Sequence, residues 1–123
     1  MDFSQNQAIY LQIAEFIMEK ILSRNWKEED RIPSVRDMAV SIQVNPNTVM
    51  RSYTYLQDMG ILSNQRGIGY FIGKEAFSQT LRLKKDSFIR DELPRIFKTL
   101  DLLGMKMAEV ENLYQEYTKG VIR

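Results

Sequence analysis

The chain has 123 residues, 44% of them hydrophobic and 27% charged, which is typical of a compact globular domain with a small appendage. It contains no cysteine and no histidine, so disulfides, thiolate chemistry, the usual general base and the commonest metal ligand are all missing. We therefore expect no enzyme, no cofactor and no metal site, and the net charge of +1 excludes a strongly basic protein.

No apolar run approaches the ~20 residues that span a bilayer. The N-terminus also lacks the basic and apolar regions of a signal peptide. These patterns predict a cytoplasmic protein with no membrane association.

The first predicted element is an amphipathic helix over about residues 8–24. Its apolar stripe recurs at helical spacing and consists of Ile9, Tyr10, Ile13, Ala14, Ile17, Met18 and Ile21. The opposite face is not lined by the lysines and arginines of a membrane-surface helix. We expect this helix to pack as scaffold on the segment that follows, with Trp26 at the edge of the core.

Start and stop signals then predict a short helix after residue 34. Ser34 follows Pro33 and is a favoured N-cap, and Asp37 stands where a short capping box would place it. One face of this helix is apolar and should point into the core: Val35, Met38, Ala39 and Ile42. A turn at residues 43–44 ends the helix.

The next helix is predicted over residues 46–59. Asn45 is a favoured N-cap, Pro46 suits the first helical position, and Gly60 is the stop. Val49, Tyr53 and Leu56 share the side that should be buried. The opposite arc carries Asn47, Thr48, Arg51 and Tyr55, which could bond base edges and phosphates, although an ordinary solvated helix face can have the same composition.

A β-hairpin is predicted after this helix pair. Its strands are residues 61–63 and 70–72, and residues 64–69 form the loop between them. Arg66 and the glycine after it could let the loop enter a minor groove or meet a phosphate; a plain turn with one surface arginine is the alternative. Two helices, a tight turn and a hairpin make a winged helix-turn-helix, whose ligand is duplex DNA.

The local charge agrees with this hypothesis. Residues 31–74 carry five basic and two acidic side chains, a net of +3, while the whole chain has only +1. We expect a basic face on the winged domain and a DNA affinity that falls with salt.

The remaining chain predicts two helices. The first spans residues 77–103, with Pro94 kinking it or marking a new start, and ends at Gly104. The second runs over about 105–118 and completes an αα-hairpin. Their apolar stripe is predicted to form a dimer interface of Ile89, Leu93, Ile96, Phe97, Leu100, Leu103, Met107, Val110, Leu113, Tyr114 and Tyr117.

A lone pair of helices cannot bury such a stripe, so it needs a partner surface. A symmetric second copy is the preferred hypothesis, and the hairpin folding back on its own domain is the alternative. A dimer would present its two copies of the helix at residues 46–59 about one DNA turn apart, which predicts an inverted-repeat target.

Several motifs together resemble the DNA-binding domain of GntR-type bacterial transcription regulators. They are residues 9–13 (IYLQI), 31–36 (RIPSVR), 44–49 (VNPNTV) and 66–71 (RGIGYF). The tail after residue 74 is similar to that of the YtrA-like subfamily, which implies a small helical dimerisation module. The resemblance implies DNA contacts from Ser34, Arg36, Asn45, Asn47, Thr48, Arg51, Arg66 and Gly67.

Two positions depart from the family pattern. Asn25 stands where the family usually has glycine, and Asn tolerates the left-handed conformation of a helix stop. Glu29 replaces the glycine of a Pro-Gly-Asp sequence, which affects the shape of that loop.

The sequence therefore predicts a mainly α fold with a small β-hairpin wing. Residues 1–74 would form the winged helix-turn-helix and residues 75–123 a two-helix dimerisation hairpin. The predicted function is a repressor that binds an operator in double-stranded DNA as a homodimer; the alternative is a winged-helix module for protein contacts without DNA. The hairpin is too short to enclose a typical ligand pocket of ~300–1,000 Å³ alone, so any small-molecule effector would bind between domains or subunits.

Overall fold

The computed structural model describes residues 1–3 and 5–122. They form two compact units, Met1–Leu83 and Lys84–Arg123. In chain order the elements are α1 (Ile9–Leu22), α2 (Val35–Ile42), α3 (Pro46–Asp58), β1 (Leu62–Gln65), β2 (Gly69–Ile72), α4 (Ala76–Ser87), a π-helical turn (Phe88–Glu92), α5 (Leu93–Leu103) and α6 (Met107–Thr118). This confirms the predicted fold class of a mainly helical chain with a β-hairpin wing.

The core of the first unit lies between α1 and α3. Their inward faces are fully buried and contribute Ile13, Ile17, Ile21, Val49, Tyr53 and Leu56. Met38 and Ala39 of α2 are also buried, while Val35, Ile42 and Trp26 pack against this core at its edge. The predicted core faces of α2 and α3 are confirmed, as is the place of Trp26.

The start of α1 differs from the prediction. Ile9 is 42% exposed, and Tyr10 is half-buried outside the core. The first turn of α1 lies against the polar face of α3, where Tyr10 contacts Arg51 and Tyr55. Placing Ile9 and Tyr10 in the core stripe was therefore wrong, because helical periodicity does not reveal where the core ends along the axis.

The predicted N-caps Ser34 and Asn45 and the turn at residues 43–44 are confirmed. The Ser34 hydroxyl accepts a 3.0 Å bond from the Asp37 amide, and the Asn45 side-chain oxygen accepts a 2.8 Å bond from the Asn47 amide. Gln43 takes the left-handed conformation with φ of 57°, which closes α2 and sets the tight turn.

The hairpin strands are offset from the predicted ones. β1 and β2 pair antiparallel, with Leu62 opposite Ile72 and Gln65 opposite Gly69. Asn64, Gln65 and Gly69, predicted in the loop, therefore belong to strands, and the tip is residues 66–68. Backbone pairing with the partner strand outweighs the low β-propensity of these residues, which a single-strand pattern cannot show.

The segment before α2 runs alongside β2. The Glu29 amide donates to the Ile72 carbonyl at 2.8 Å, and the Ile72 amide donates to the Asp30 carbonyl at 2.8 Å. The Ile32 amide donates to the Tyr70 carbonyl at 3.0 Å. These bonds fasten the wing to the loop between α1 and α2.

That loop contains two residues with left-handed backbone, Arg24 (φ 65°) and Glu29 (φ 71°). The left-handed stop after α1 was expected at Asn25 and lies one residue earlier. Arg24 is held there by an ion pair with Glu28 (2.8 Å) and by stacking of its guanidinium on the Phe77 ring (3.6 Å). Glu29 keeps the backbone conformation for which glycine is better suited.

The start of α4 belongs to the first unit. Ala76 and Thr80 are fully buried, and Phe77 and Leu83 pack on the core. The first unit therefore continues past residue 74, because the apolar side of these turns is covered there. The functional division into residues 1–74 and 75–123 stays a prediction.

Pro94 marks a new helix start, as one of the two predicted outcomes. The Leu93 amide donates to the Phe88 carbonyl five residues back, which defines the π-helical turn. Pro94 has no amide hydrogen and its ring clashes with the carbonyl four residues earlier, so a wider turn relieves the clash. Gly104 ends α5 in the left-handed conformation (φ 67°), as predicted. Along the described ranges no helix is both long enough and apolar enough to span a bilayer.

Glu29→Gly is expected to stabilise the protein. A left-handed L-residue costs roughly 1–2 kcal/mol, partly offset by the greater unfolded-chain freedom of glycine, which leaves a gain of about 0.5–1 kcal/mol. Urea unfolding at fixed protein concentration measures it. The matched control Glu28→Gly, at an ordinary backbone conformation and paired with Arg24, should lose stability. Equal losses in both variants would show that the loop is not strained at Glu29.

Candidate nucleic-acid interface

The second helix of the helix-turn-helix, α3, has two opposite faces. Val49, Tyr53 and Leu56 are fully buried. Asn47 and Arg51 are exposed and Thr48 is half-buried on the other side. The fold therefore fixes the helix by one face and leaves a polar face of amide, hydroxyl and guanidinium groups free to meet a ligand.

The N-terminal caps of α2 and α3 lie among the predicted contact residues. The side-chain oxygens of Ser34 and Asn45 already accept backbone bonds within the protein. The hydroxyl hydrogen of Ser34 and the amide group of Asn45 remain available as donors, and donors are what phosphate oxygens require. Arg36 is exposed in the first turn of α2.

Tyr53 fixes α3 relative to its surroundings. Its hydroxyl donates a 2.7 Å bond to the Pro33 carbonyl, just before α2, and its ring meets Tyr70 of the wing edge-to-face at 4.9 Å. Burial raises the pKa of Tyr53 well above its ordinary value, with smaller contributions from Tyr70 and Asp37. The hydroxyl therefore stays a donor at neutral pH, and its contribution to stability is lost only as the pH rises above about 10.

The wing presents Arg66 and Gly67 at an exposed tip. Arg31 supports this tip, because its guanidinium donates a 2.7 Å hydrogen bond to the Ile68 carbonyl. A Cβ at Gly69, where φ is 147°, would lie 3.1 Å from the Arg31 Nε. The backbone conformation therefore favours glycine at position 69, and any side chain there would also crowd the Arg31 guanidinium.

Tyr10 of α1 is part of the same surface. The Arg51 guanidinium carbon lies 3.9 Å from the Tyr10 ring centroid, and Tyr55 meets that ring edge-to-face at 6.0 Å. An open groove is lined by Ala8, Ile9, Tyr10, Asn47, Thr48 and Arg51. The structure thus brings together the predicted residues of α3 and adds the first turn of α1.

Sequence reasoning missed Tyr10 and Arg31. Tyr10 was assigned to the apolar stripe, and Arg31 was noted as a charge and as part of a family motif without a role in the wing. A tyrosine in the first turn of a helix is a weak signal, since only the packing angle of α1 on α3 decides what its ring touches. The contact roles of Ser34, Arg36, Asn45, Asn47, Thr48, Arg51, Tyr55, Arg66 and Gly67 stay predictions.

The surface has the chemistry of a binding site. Within the ranges that the structure describes, no group of three or more His, Cys, Asp or Glu side chains could hold a metal ion. The residues that converge here are hydrogen-bond donors, amides and guanidinium groups, which suit phosphates and base edges.

Comparison with known proteins decides the family. Residues 9–72, from the start of α1 to the end of β2, match the family described as "Bacterial regulatory proteins, gntR family". The chain belongs to this family. The resemblance noted in the sequence is therefore confirmed, and the matched range of the GntR family contains the whole helix-turn-helix and the wing.

Relatives of similar length are transcription regulators. The chain is 34% identical over 118 residues to the uncharacterized HTH-type transcriptional regulator YhcF of Bacillus subtilis (strain 168), covering 96% of both sequences. It is 31% identical over 121 residues to the HTH-type transcriptional repressor YtrA of the same organism, covering 98% of this chain and 92% of YtrA.

A solved structure of a GntR-family transcriptional regulator from Bacteroides thetaiotaomicron is also similar. It shares 45% sequence identity, with a TM-score of 0.75 over 91% of this chain and 97% of that chain. Together these findings identify a DNA-binding transcription regulator of the GntR family with YtrA-type relatives. They do not support the alternative of a winged-helix module that only contacts proteins.

Arg51→Ala and Val49→Asp should separate surface from core on α3. Arg51→Ala removes an exposed side chain together with its stacking on Tyr10, and should lower the free energy of unfolding by no more than about 1 kcal/mol. Val49→Asp places a charge at a fully buried position and should unfold the domain. Thermal melts followed by circular dichroism measure both; an Arg51→Ala protein that melts much earlier than wild type would refute the surface assignment.

Proposed function

We propose that the chain is a cytoplasmic repressor that binds an inverted-repeat operator in duplex DNA as a homodimer. α3 (predicted as residues 46–59) would enter the major groove, and residues 64–69 of the wing would meet the minor groove or the DNA backbone. The observation that carries this proposal is the exposed polar face of α3 opposite its fully buried face. The description of the relative YtrA as a repressor favours repression over activation.

The homodimer is supported by the apolar surface of the second unit. In the part of the chain that the structure describes, no residue of α5 or α6 is buried. Large apolar side chains are exposed there, with Leu103 at 67% and Tyr114 at 60%. A large amount of exposed apolar surface is typical of an interaction site, and two-fold dimers are the commonest arrangement among soluble oligomers.

The proposed interface uses residues along one stripe of α5, α6 and the π-helical turn that precedes them. They are Ile89, Leu93, Ile96, Phe97, Leu100, Leu103, Met107, Val110, Leu113, Tyr114 and Tyr117. Two-fold symmetry would present two copies of α3 to major grooves about 34 Å apart, and the matching DNA sequence is an inverted repeat.

Electrostatics supports DNA as the partner. Arg36, Arg51 and Arg66 are exposed on α2, α3 and the wing tip, and none of them forms an ion pair among those found in the described residues. Their cationic groups can replace counterions on phosphates, which gives an affinity that falls with salt.

Selection of binding sequences from random duplex DNA tests the operator. The wild-type protein should enrich an inverted repeat, and Arg51→Ala should lose the preference at one base pair in each half-site, worth about 1–3 kcal/mol. A folded wild-type dimer that enriches no sequence would contradict the proposal.

Light scattering tests the dimer. Phe97→Glu places a charge in the apolar stripe and should convert the dimer to monomers with weaker operator binding. Lys98→Glu, on the opposite face of α5 and with a larger change of charge, is the matched control and should remain dimeric. A wild-type monomer at micromolar concentration would favour the hairpin folding back on its own domain.

Arg66→Ala should act differently from Arg51→Ala. If Arg66 contacts the DNA backbone, its removal should weaken binding to all sequences alike. It should also make the slope of log affinity against log salt shallower by about 2 per dimer. Titrations at several salt concentrations measure this slope. Lys98→Ala removes the same charge from the second unit and should leave it unchanged.

A further inference from the structure

One aromatic side chain from outside the helix-turn-helix lies against its predicted contact residues. Tyr10 is in the first turn of α1, and its ring faces the Arg51 guanidinium at 3.9 Å. The edge-to-face contact of Tyr55 with the same ring is at 6.0 Å, with an interplanar angle of 81°. Arg51 and Tyr55 are four residues apart on one face of α3, so Tyr10 bridges two neighbouring turns.

Stacking on a ring holds an arginine without using its hydrogen-bond donors. The guanidinium is planar, and its five N–H groups point outward in that plane while its face lies on the aromatic ring. A stacked Arg51 can therefore still present a two-pronged edge to guanine, which is the commonest specific contact of arginine in the major groove.

Stacking also lowers the number of conformations that Arg51 must lose on binding. A free arginine side chain has many rotamers, and ordering it opposes association. The Tyr10 ring and its Tyr55 support restrict the guanidinium before DNA arrives. The groove lined by Ala8, Ile9, Asn47 and Thr48 remains open beside it, so the held arginine stays accessible.

We propose that Tyr10 is a positioning residue of the DNA interface that holds the Arg51 guanidinium, by stacking, in the orientation that reads a base pair in each half-site. This rests on the proposed function, because it needs Arg51 at the DNA. In this proposal the first turn of α1 contributes to sequence specificity, and Tyr55 supports the Tyr10 ring.

Four variants test the proposal: Tyr10→Leu, Tyr10→Phe, Arg51→Ala and the double variant Tyr10→Leu/Arg51→Ala. Thermal melts first establish that each is folded. Tyr10→Leu should weaken binding to the selected operator by about 2- to 30-fold per half-site and relax preference at the same base pair as Arg51→Ala. Tyr10→Phe keeps the ring and should recover both properties.

The double variant separates positioning from general packing. If Tyr10 acts through Arg51, Tyr10→Leu should cause no further loss in the Arg51→Ala background. Additive losses, or an unchanged base preference in Tyr10→Leu, would overturn the role of Tyr10. The proposed binding of the protein to its operator would not be affected by that result. Tighter binding by Tyr10→Leu would also overturn it, since it would mean that the ring withholds Arg51 from DNA.

A measurement without DNA distinguishes the contact from the proposed function. In the free protein the Tyr10 ring current should shift the Arg51 δ-proton resonances upfield, and Tyr10→Leu should abolish the shift. If the shift is absent, Arg51 does not stack on Tyr10 in the free protein, and the positioning role is refuted even where the wild type binds its operator. If the shift is present but the folded wild type binds no DNA, the proposed function fails and the positioning role with it.

Discussion

The packing of the first unit depends on the burial of Tyr53. This single side chain leaves α3, donates a hydrogen bond to the backbone just before α2, and packs its ring on Tyr70 of the wing. The three parts that would meet DNA are thereby held by one fully buried residue. A buried hydroxyl without an acceptor is costly in free energy. Packings of α3 that separate the Tyr53 hydroxyl from the Pro33 carbonyl are therefore less stable.

Much of this arrangement was predictable because its signals are local. Ser34, Asn45, Pro46 and Gly104 act through backbone groups a few residues away, so their spacing alone defines the ends of α2, α3 and α5. The strand ends were misplaced because pairing with a partner strand decides them. Tyr10 was misplaced for a similar reason: whether a residue in a helix stripe is buried depends on how far the neighbouring helix extends. The π-helical turn before Pro94 is one of several responses to a proline, and sequence does not choose among them.

The two units differ in how far their apolar residues are buried. The first has a core of its own, with buried side chains from its helices, both strands and the start of α4. The second consists of amphipathic helices whose large apolar side chains are exposed or half-buried in the single chain. Dimerisation would supply the missing core, so the folding of the second unit would depend on protein concentration, whereas the first could fold alone.

The wing is bonded to the rest of the first unit at several points. Arg31 holds the tip through the Ile68 carbonyl, the loop before α2 bonds to β2, and the Tyr70 hydroxyl meets the Met50 sulfur of α3 at 3.6 Å. A wing held by these contacts would lose little conformational freedom on binding, and its width and tilt would adjust little to the duplex. Where such a wing meets a minor groove, it favours sequences whose groove already has the matching width. The protein can then discriminate among DNA sequences at base pairs that none of its side chains touch.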